Sequence, residues 1–424
     1  MNKKNLTAYL IHPPKILSIL LLIVLFFLNL RYGVLPGWQN INSDFPNYYT
    51  SSRLLLEGKD LSLVYDDQWF QQKIHEFGIA ERGKFSPFPP ATVFIMTPVA
   101  LLSPLIAKRV FLLINVIVLI FTAFIFTKIS HFNFTESLNI IMLSGAALIN
   151  NFLLGQFYLI LLLLVTLGYL FVTKKEGNEY LAGIYWGIAA VLKYFPLVFV
   201  PILLLRKKWK ALFTLLIAIL ALNIIAYRYC GQEVYKQYFN NIFIKHINGQ
   251  LSSQSEYSAQ FQSWNALLKN IFVFDPVENK APLINSTAAF YAIRGFIELS
   301  FLFFSFYIIY RIRKEKDFFP KAIILLSVLV FVLSPASATY HLLLLSLPFL
   351  LLLNLTTNHS STSIKLLFIL LYVGIGFSPF IFNKIRIENA GVFFAFYRLW
   401  LIIIFYAAVL WFILKSRTPA GSLK

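Results

Sequence analysis

Apolar residues run along this chain in long unbroken blocks. They do not show the alternation of a half-buried strand or the three-and-four spacing of a surface helix. The blocks lie at Ile16–Leu30 and near 91–106, 110–127, 137–153, 157–173, 181–205, 211–227, 290–310, 318–335, 341–355, 365–382 and 397–414. Most reach or approach the roughly 17–25 residues that a helix needs to cross a bilayer. The pattern predicts an all-α polytopic membrane protein with about twelve transmembrane helices. The weakest blocks, 91–106, 137–153 and 341–355, predict tilted, broken or re-entrant segments. The first block follows Lys3, Lys4 and Lys15, lacks an A-x-A cleavage site, and is expected to stay as an anchor.

Two long hydrophilic stretches separate the blocks, 31–90 and 228–289. They are rich in Tyr, Phe, Trp, Asn and Gln, so each is expected to fold at the interface as part of one integral membrane domain over 1–424. Tyr48–Leu56 has the mixed apolar and polar character of a short interfacial helix. No internal repeat is visible, which weighs against an inverted-repeat transporter.

Composition agrees. Of 424 residues, 58% are hydrophobic and 13% charged, against roughly 45–50% and about 25% in a soluble chain. A soluble fold could not cover its surface with so few charges. The net charge of +19 would suggest nucleic acid as a partner in a soluble protein. Here its distribution matters more. With the N-terminus in the cytoplasm, the cytoplasmic segments hold 18 Lys/Arg, among them Lys108-Arg109, and only Glu315 and Asp317 as acids. This is the positive-inside bias. It predicts a multi-pass cell-membrane protein with both termini cytoplasmic and both long loops outside, and no nucleic-acid partner.

Sequence-local chemistry is sparse. Cys230 is the only cysteine, the six His are scattered, and no HExxH, Walker A, GxGxxG or GxSxG pattern occurs. Asp66-Asp67 forms no D-x-D. No metal site or cofactor is expected.

The informative residues are polar ones placed where polarity is costly. Asp44, just past the first block, reads equally as a helix N-cap before Pro46 or as a carboxylate base at the membrane boundary. Lys193, inside the block 181–205, is expected near mid-span. It would be about 15 Å from either end at 1.5 Å per residue, too deep to snorkel, and so points to a polar cavity that holds an anion. His341 closes the small, polar turn Ser334–His341, where its ring either bonds backbone or serves as a hydrogen-bond donor facing a phosphate in the same cavity. Asn150–Gln156 either glues helices or binds sugar hydroxyls. Trp264, in Gln262-Ser263-Trp264-Asn265, is a sugar platform or an interfacial anchor.

In order along the chain stand Asp44-Phe45…Tyr49, Gly58…Tyr65, Phe85-Ser86-Pro87-Phe88-Pro89-Pro90…Pro98-Val99-Ala100, Gly155-Gln156, Ala182-Gly183…Lys193…Pro196, Arg206-Lys207-Lys208-Trp209 and Ser334-Pro335…His341. This series resembles the family 87 glycosyltransferases of the GT-C superfamily, over roughly residues 40–350. Two positions depart from the family pattern: Tyr340 stands where many relatives have a second His, and Phe157-Tyr158 follows the Gly-Gln pair. The resemblance implies a membrane hexosyltransferase that takes a sugar, usually mannose, from a polyprenyl-phosphate donor. The acceptor would be an extracytoplasmic glycolipid or glycan, and the anomeric centre would be inverted. It implies Asp44 as general base and Lys193 and His341 at the donor phosphate. Tyr48, Tyr49, Gln156, Trp264, Asn265 and Tyr340 are then candidates for substrate binding. Two other readings stand beside it. Lys193 and the broken helices also suit a transporter or flippase, and a non-catalytic envelope scaffold would not bring Asp44 and Lys193 together.

Overall fold

The computed structural model describes residues 14–174, 177–250, 255–359, 362–382 and 391–416. Among them the fold is all-α. Seven helices are long and apolar enough to cross a membrane, or up to eight when the bent pair Ala146–Leu153 and Tyr158–Thr173 counts as one. Shorter apolar helices, Glu179–Leu192, Phe195–Leu205 and Phe318–Leu333, complete the bundle. Phe318–Leu333 is apolar on every side, and its middle, Ile323 to Leu329, is buried all round. It is the central helix of the core.

The first span runs past the predicted block, from Lys15 to Gln39, with a π-turn at Leu30–Val34. Residues 91–106 are not a span. They form a 3₁₀ turn at Pro90–Phe94 and further turns up to Ser103. Apolar composition suggested a helix, but Pro89, Pro90 and Pro98 remove helix donors and the segment packs as a cap instead. The helix Pro104–Ile129 therefore begins at the end where the first span finishes. Lys108 Nζ donates to the carbonyls of Asn40 and Leu153, both at 2.8 Å, and Arg109 Nε to that of Trp38 at 3.0 Å. These two cations lie at the Asp44 end, not with the cytoplasmic group in which the charge count placed them. Lys128 and Lys174 take their place at the opposite end, around a pocket shared with His131 and Asn354.

The larger correction concerns 181–205, expected as one span with Lys193 in its middle. Lys208 Nζ lies 2.6 Å from Glu179 Oε1, and Thr214 donates to the Tyr180 carbonyl at 2.9 Å. Both ends of the block are therefore at the same end of the bundle, and the chain reverses at Lys193. The ascending leg, Glu179–Leu192, packs on Trp209–Cys230 through Gly183 and Gly187. A Cβ on either would lie 2.0 Å from the Ala211 carbonyl or 2.6 Å from Ala218 Cβ, the close approach that small-xxx-small pairs provide. Lys193 leaves the helix in an extended conformation, and Pro196 and Pro201 each open a segment of the descending leg. One reversal of chain direction is lost at 91–106 and one gained here, so the downstream segments keep their expected direction. The 14-residue ascending leg rises about 21 Å, short of the roughly 30 Å hydrocarbon thickness. Lys193 therefore stands at the tip of a helical hairpin.

The remaining legs are fixed by their ends. Arg206 bonds the carbonyls of Arg313 and Glu315, and Lys321 bonds Glu315 and the Ser416 carbonyl, all at the end away from Asp44. At the Asp44 end, fully buried Arg398 ties the last helix to Thr339, to the Ser337 carbonyl and to the Gln260 carbonyl. It anchors the turn that carries His341.

Candidate active site

The first loop places Asp44. The helix Phe45–Leu56 starts immediately after it with Pro46 in the first turn, as an N-cap reading requires, but the Asp44 side chain makes no capping bond. Its backbone stands at φ +78°, a region non-glycine residues rarely occupy and one in which Asp and Asn are enriched. The carboxylate turns inward. Oδ2 accepts from Gln156 Nε2 at 2.7 Å, and Gln156 Oε1 accepts from the Tyr48 hydroxyl, also at 2.7 Å. Tyr340 contributes a second side-chain hydrogen bond to the carboxylate. Burial pushes the Asp44 carboxyl above its ordinary range, against the downward pull of Gln156, Tyr340 and Lys193.

Gln156 is presented by the 120° break between Ala146–Leu153 and Tyr158–Thr173. Asn151 holds that break: its Oδ1 accepts from the Tyr158 backbone at 3.0 Å, while its Nδ2 donates to Asn115 at 3.1 Å. Gly155 lets the turn close, with φ +66° and the Phe45 ring about 3.1 Å from where a Cβ would stand. The Asn150–Gln156 stretch is therefore glue at Asn151 and a carboxylate support at Gln156.

Asp44 opens onto a polar cavity of ≈1100 Å³. Lys193 reaches it from the hairpin tip, with Nζ 5.1 Å from the centre of the Phe88 ring. His341 reaches it from the Ser334–His341 turn, its ring stacked on Tyr158 at 4.9 Å. Tyr340 also lines the cavity. Three elements far apart in sequence thus bring Asp44, Lys193 and His341 to one cavity.

A second, mainly apolar cavity of ≈460 Å³ adjoins the first. Pro87, Lys193, His246, Ala336 and His341 line both. Beyond that junction the second cavity is walled by Val198, Leu302, Phe306, Leu329, Phe331 and Leu344. A polar chamber with a carboxylate and an apolar groove thus meet at a cluster of nitrogen donors.

Other candidates lie elsewhere. Tyr48 stands behind Gln156 and does not face either cavity. Tyr49 donates to the Leu102 carbonyl at 2.7 Å and stacks on Phe45. Trp264 packs edge-on against Trp400 at 5.6 Å, and buried Asn265 donates to the Gly249 carbonyl at 2.9 Å. Neither lines either of these two cavities.

Some lining residues were not picked out from the sequence. Gln68, Gln71, Gln72 and His75 line the polar cavity from the helix Asp67–Glu76. Their i, i+3, i+4, i+7 spacing marks one helix face and was a readable signal. Lys84 also lines it, and burial lowers its pKa against the pull of Asp67 and Asp44. His246 carried no sequence signal. Among the described residues, no group of three or more His, Cys, Asp or Glu is arranged to hold a metal ion.

Residues 87–335, more than half of the chain, match Glycosyltransferase family 87. The chain belongs to this family. It is a membrane glycosyltransferase, with a sugar donor, an acceptor and a lipid bilayer as its partners. No curated protein matches the chain individually. The family 87 match includes Gln156, Lys193, His246, Trp264 and Asn265 but ends before His341 and begins after Asp44. The fold places these two flanking residues against the matched region.

Proposed function

We propose that this family 87 member transfers a hexose, mannose being the sugar that the family resemblance implies, from a polyprenyl-phosphate donor to the hydroxyl of an extracytoplasmic glycolipid or glycan. The observation that carries the proposal is the junction. A polar chamber bearing Asp44 meets an apolar groove at Lys193 and His341, and an amphiphilic donor with a phosphate between sugar and isoprenoid has the same order of parts. The isoprenoid lies in the groove, the phosphate at the junction, and the sugar and acceptor in the chamber.

Asp44 accepts the proton of the acceptor hydroxyl as its oxygen attacks the anomeric carbon. The bond from that carbon to the phosphate oxygen breaks, and its electron pair leaves with the polyprenyl phosphate. Attack opposite the leaving group inverts the centre. Lys193 and His341 meet the charge that develops on the phosphate, in surroundings where fixed donors act strongly. Gln156 and Tyr340 hold the carboxylate in place. The Lys/Arg bias toward the opposite end of the bundle supports an extracytoplasmic site.

The test is to reconstitute the purified protein in lipid nanodiscs with polyprenyl phosphomannose and a mixture of envelope glycolipids. Mass spectrometry then follows polyprenyl phosphate release and acceptor mass. Release coupled to a hexose-sized increase supports the reading. Movement of the donor between leaflets with no covalent change would replace it with a flippase.

A further inference from the structure

During the proposed transfer the phosphate gains charge. The donor is a phosphodiester with one negative charge, and the leaving group is a phosphomonoester with two. The acceptor's proton goes to Asp44, so one unit of negative charge moves from Asp44 to the junction. Of the two cations that line the apolar groove among the described residues, Arg294 is already paired, with Nε 2.8 Å from Glu298. Among the described residues shared by both cavities, Lys193 is the one cation, so neutral donors there would share the load of a dianion.

His246 is placed to be one of them. It lies on the short helix Ile244–Ile247 of the second loop and lines both cavities with Lys193 and His341. Its Nδ1 is buried and has no hydrogen-bond partner among the described residues. Burial, with Lys193 nearby, lowers its pKa to about 4, so the ring stays neutral and each tautomer offers one N–H.

The segment that carries it is clamped. Arg294 donates to the Asn248 carbonyl at 2.9 Å and to Asn265 Oδ1 at 3.0 Å. Asn265 Nδ2 in turn donates to the Gly249 carbonyl at 2.9 Å. Gly249 has φ +79°, and a Cβ there would lie 2.7 Å from the Asn265 side chain. These bonds fix the backbone two and three residues beyond His246.

We infer that His246 is a third donor to the leaving phosphate, delivered from the second loop, and that the junction is built to hold a lipid phosphomonoester. Asn265 and Arg294 are positioning residues for it. This inference rests on the proposed donor class.

The experiment compares wild type, His246→Ala and His246→Gln, full length in nanodiscs. Farnesyl phosphate binding is followed by phosphorus NMR, and turnover by hexose transfer from polyprenyl phosphomannose. Thermal unfolding checks each variant. His246→Ala should weaken farnesyl phosphate binding about tenfold and lower kcat by roughly 10²-fold, with donor KM little changed. His246→Gln keeps an N–H and should recover part of both. If wild type neither binds the phosphomonoester nor turns over, the donor class itself is wrong. If wild type does both and His246→Ala matches it, only the role of His246 falls. If Ala and Gln lose binding equally while melting normally, the side chain acts by shape and the donor role is again rejected.

Discussion

Replacing Gln156 with Leu isolates the support of the proposed base. The change removes the 2.7 Å bond to Asp44 and leaves the Tyr48 hydroxyl without its acceptor. A hydrogen bond to a charged group contributes about 1.5–3 kcal/mol, and one pKa unit corresponds to about 1.4 kcal/mol. The Asp44 carboxyl, already raised by burial, should rise by about one to two units more. A base works only when deprotonated, so the acid limb of the kcat/KM profile should move to higher pH by that amount, with activity recovering on the alkaline side. Separately, the orphaned Tyr48 hydroxyl should cost about 1–3 kcal/mol of stability. Adding Tyr48→Phe removes the orphan and should restore the melting temperature while leaving the shifted pH profile. The assay is hexose transfer over a pH series beside thermal melts of both variants. An unmoved acid limb, or one that moved to lower pH, would refute the base assignment and its electrostatics together.

Other outcomes follow from the same geometry. Asp44→Asn keeps a residue that tolerates positive φ and removes a buried charge. It should therefore melt higher than wild type at neutral pH, and the difference should vanish once pH falls below the ordinary carboxylate range, where Asp44 is neutral both folded and unfolded. Lys193→Met should lower kcat by roughly 10²–10³-fold, measured in single-turnover transfer. Leu302→Trp, which narrows the apolar cavity, should raise KM for long-chain donors more than for farnesyl-length ones. Trp264→Phe should leave donor and acceptor KM unchanged, because Trp264 packs on Trp400 away from both cavities.

The class of fold was legible because apolar block length is a strong signal, and Asp44, Lys193 and His341 stood out because each is polar where polarity is costly. Chain direction was not legible. A 25-residue apolar block looks the same whether it crosses once or turns back, and the reversal at Lys193 shows in contacts such as Glu179 with Lys208 and Tyr180 with Thr214. Pro196 opens the return leg. Residues 91–106 were apolar enough to suggest a span although their prolines forbade one. The roles of Gln156 and Trp264 depend on contacts with residues over a hundred positions away, which no local pattern encodes. His246 is one of six scattered histidines in the sequence, and only the folding of the second loop sets it beside Lys193.

The central claim is that Asp44 takes the acceptor's proton while a lipid phosphate leaves at Lys193. The most direct measurement is single-turnover transfer from polyprenyl phosphomannose by wild type and Asp44→Asn, at equal donor occupancy in nanodiscs. The account predicts that the variant binds donor as wild type does and transfers at least roughly 10²–10⁴-fold more slowly. Near-normal transfer by Asp44→Asn would contradict it.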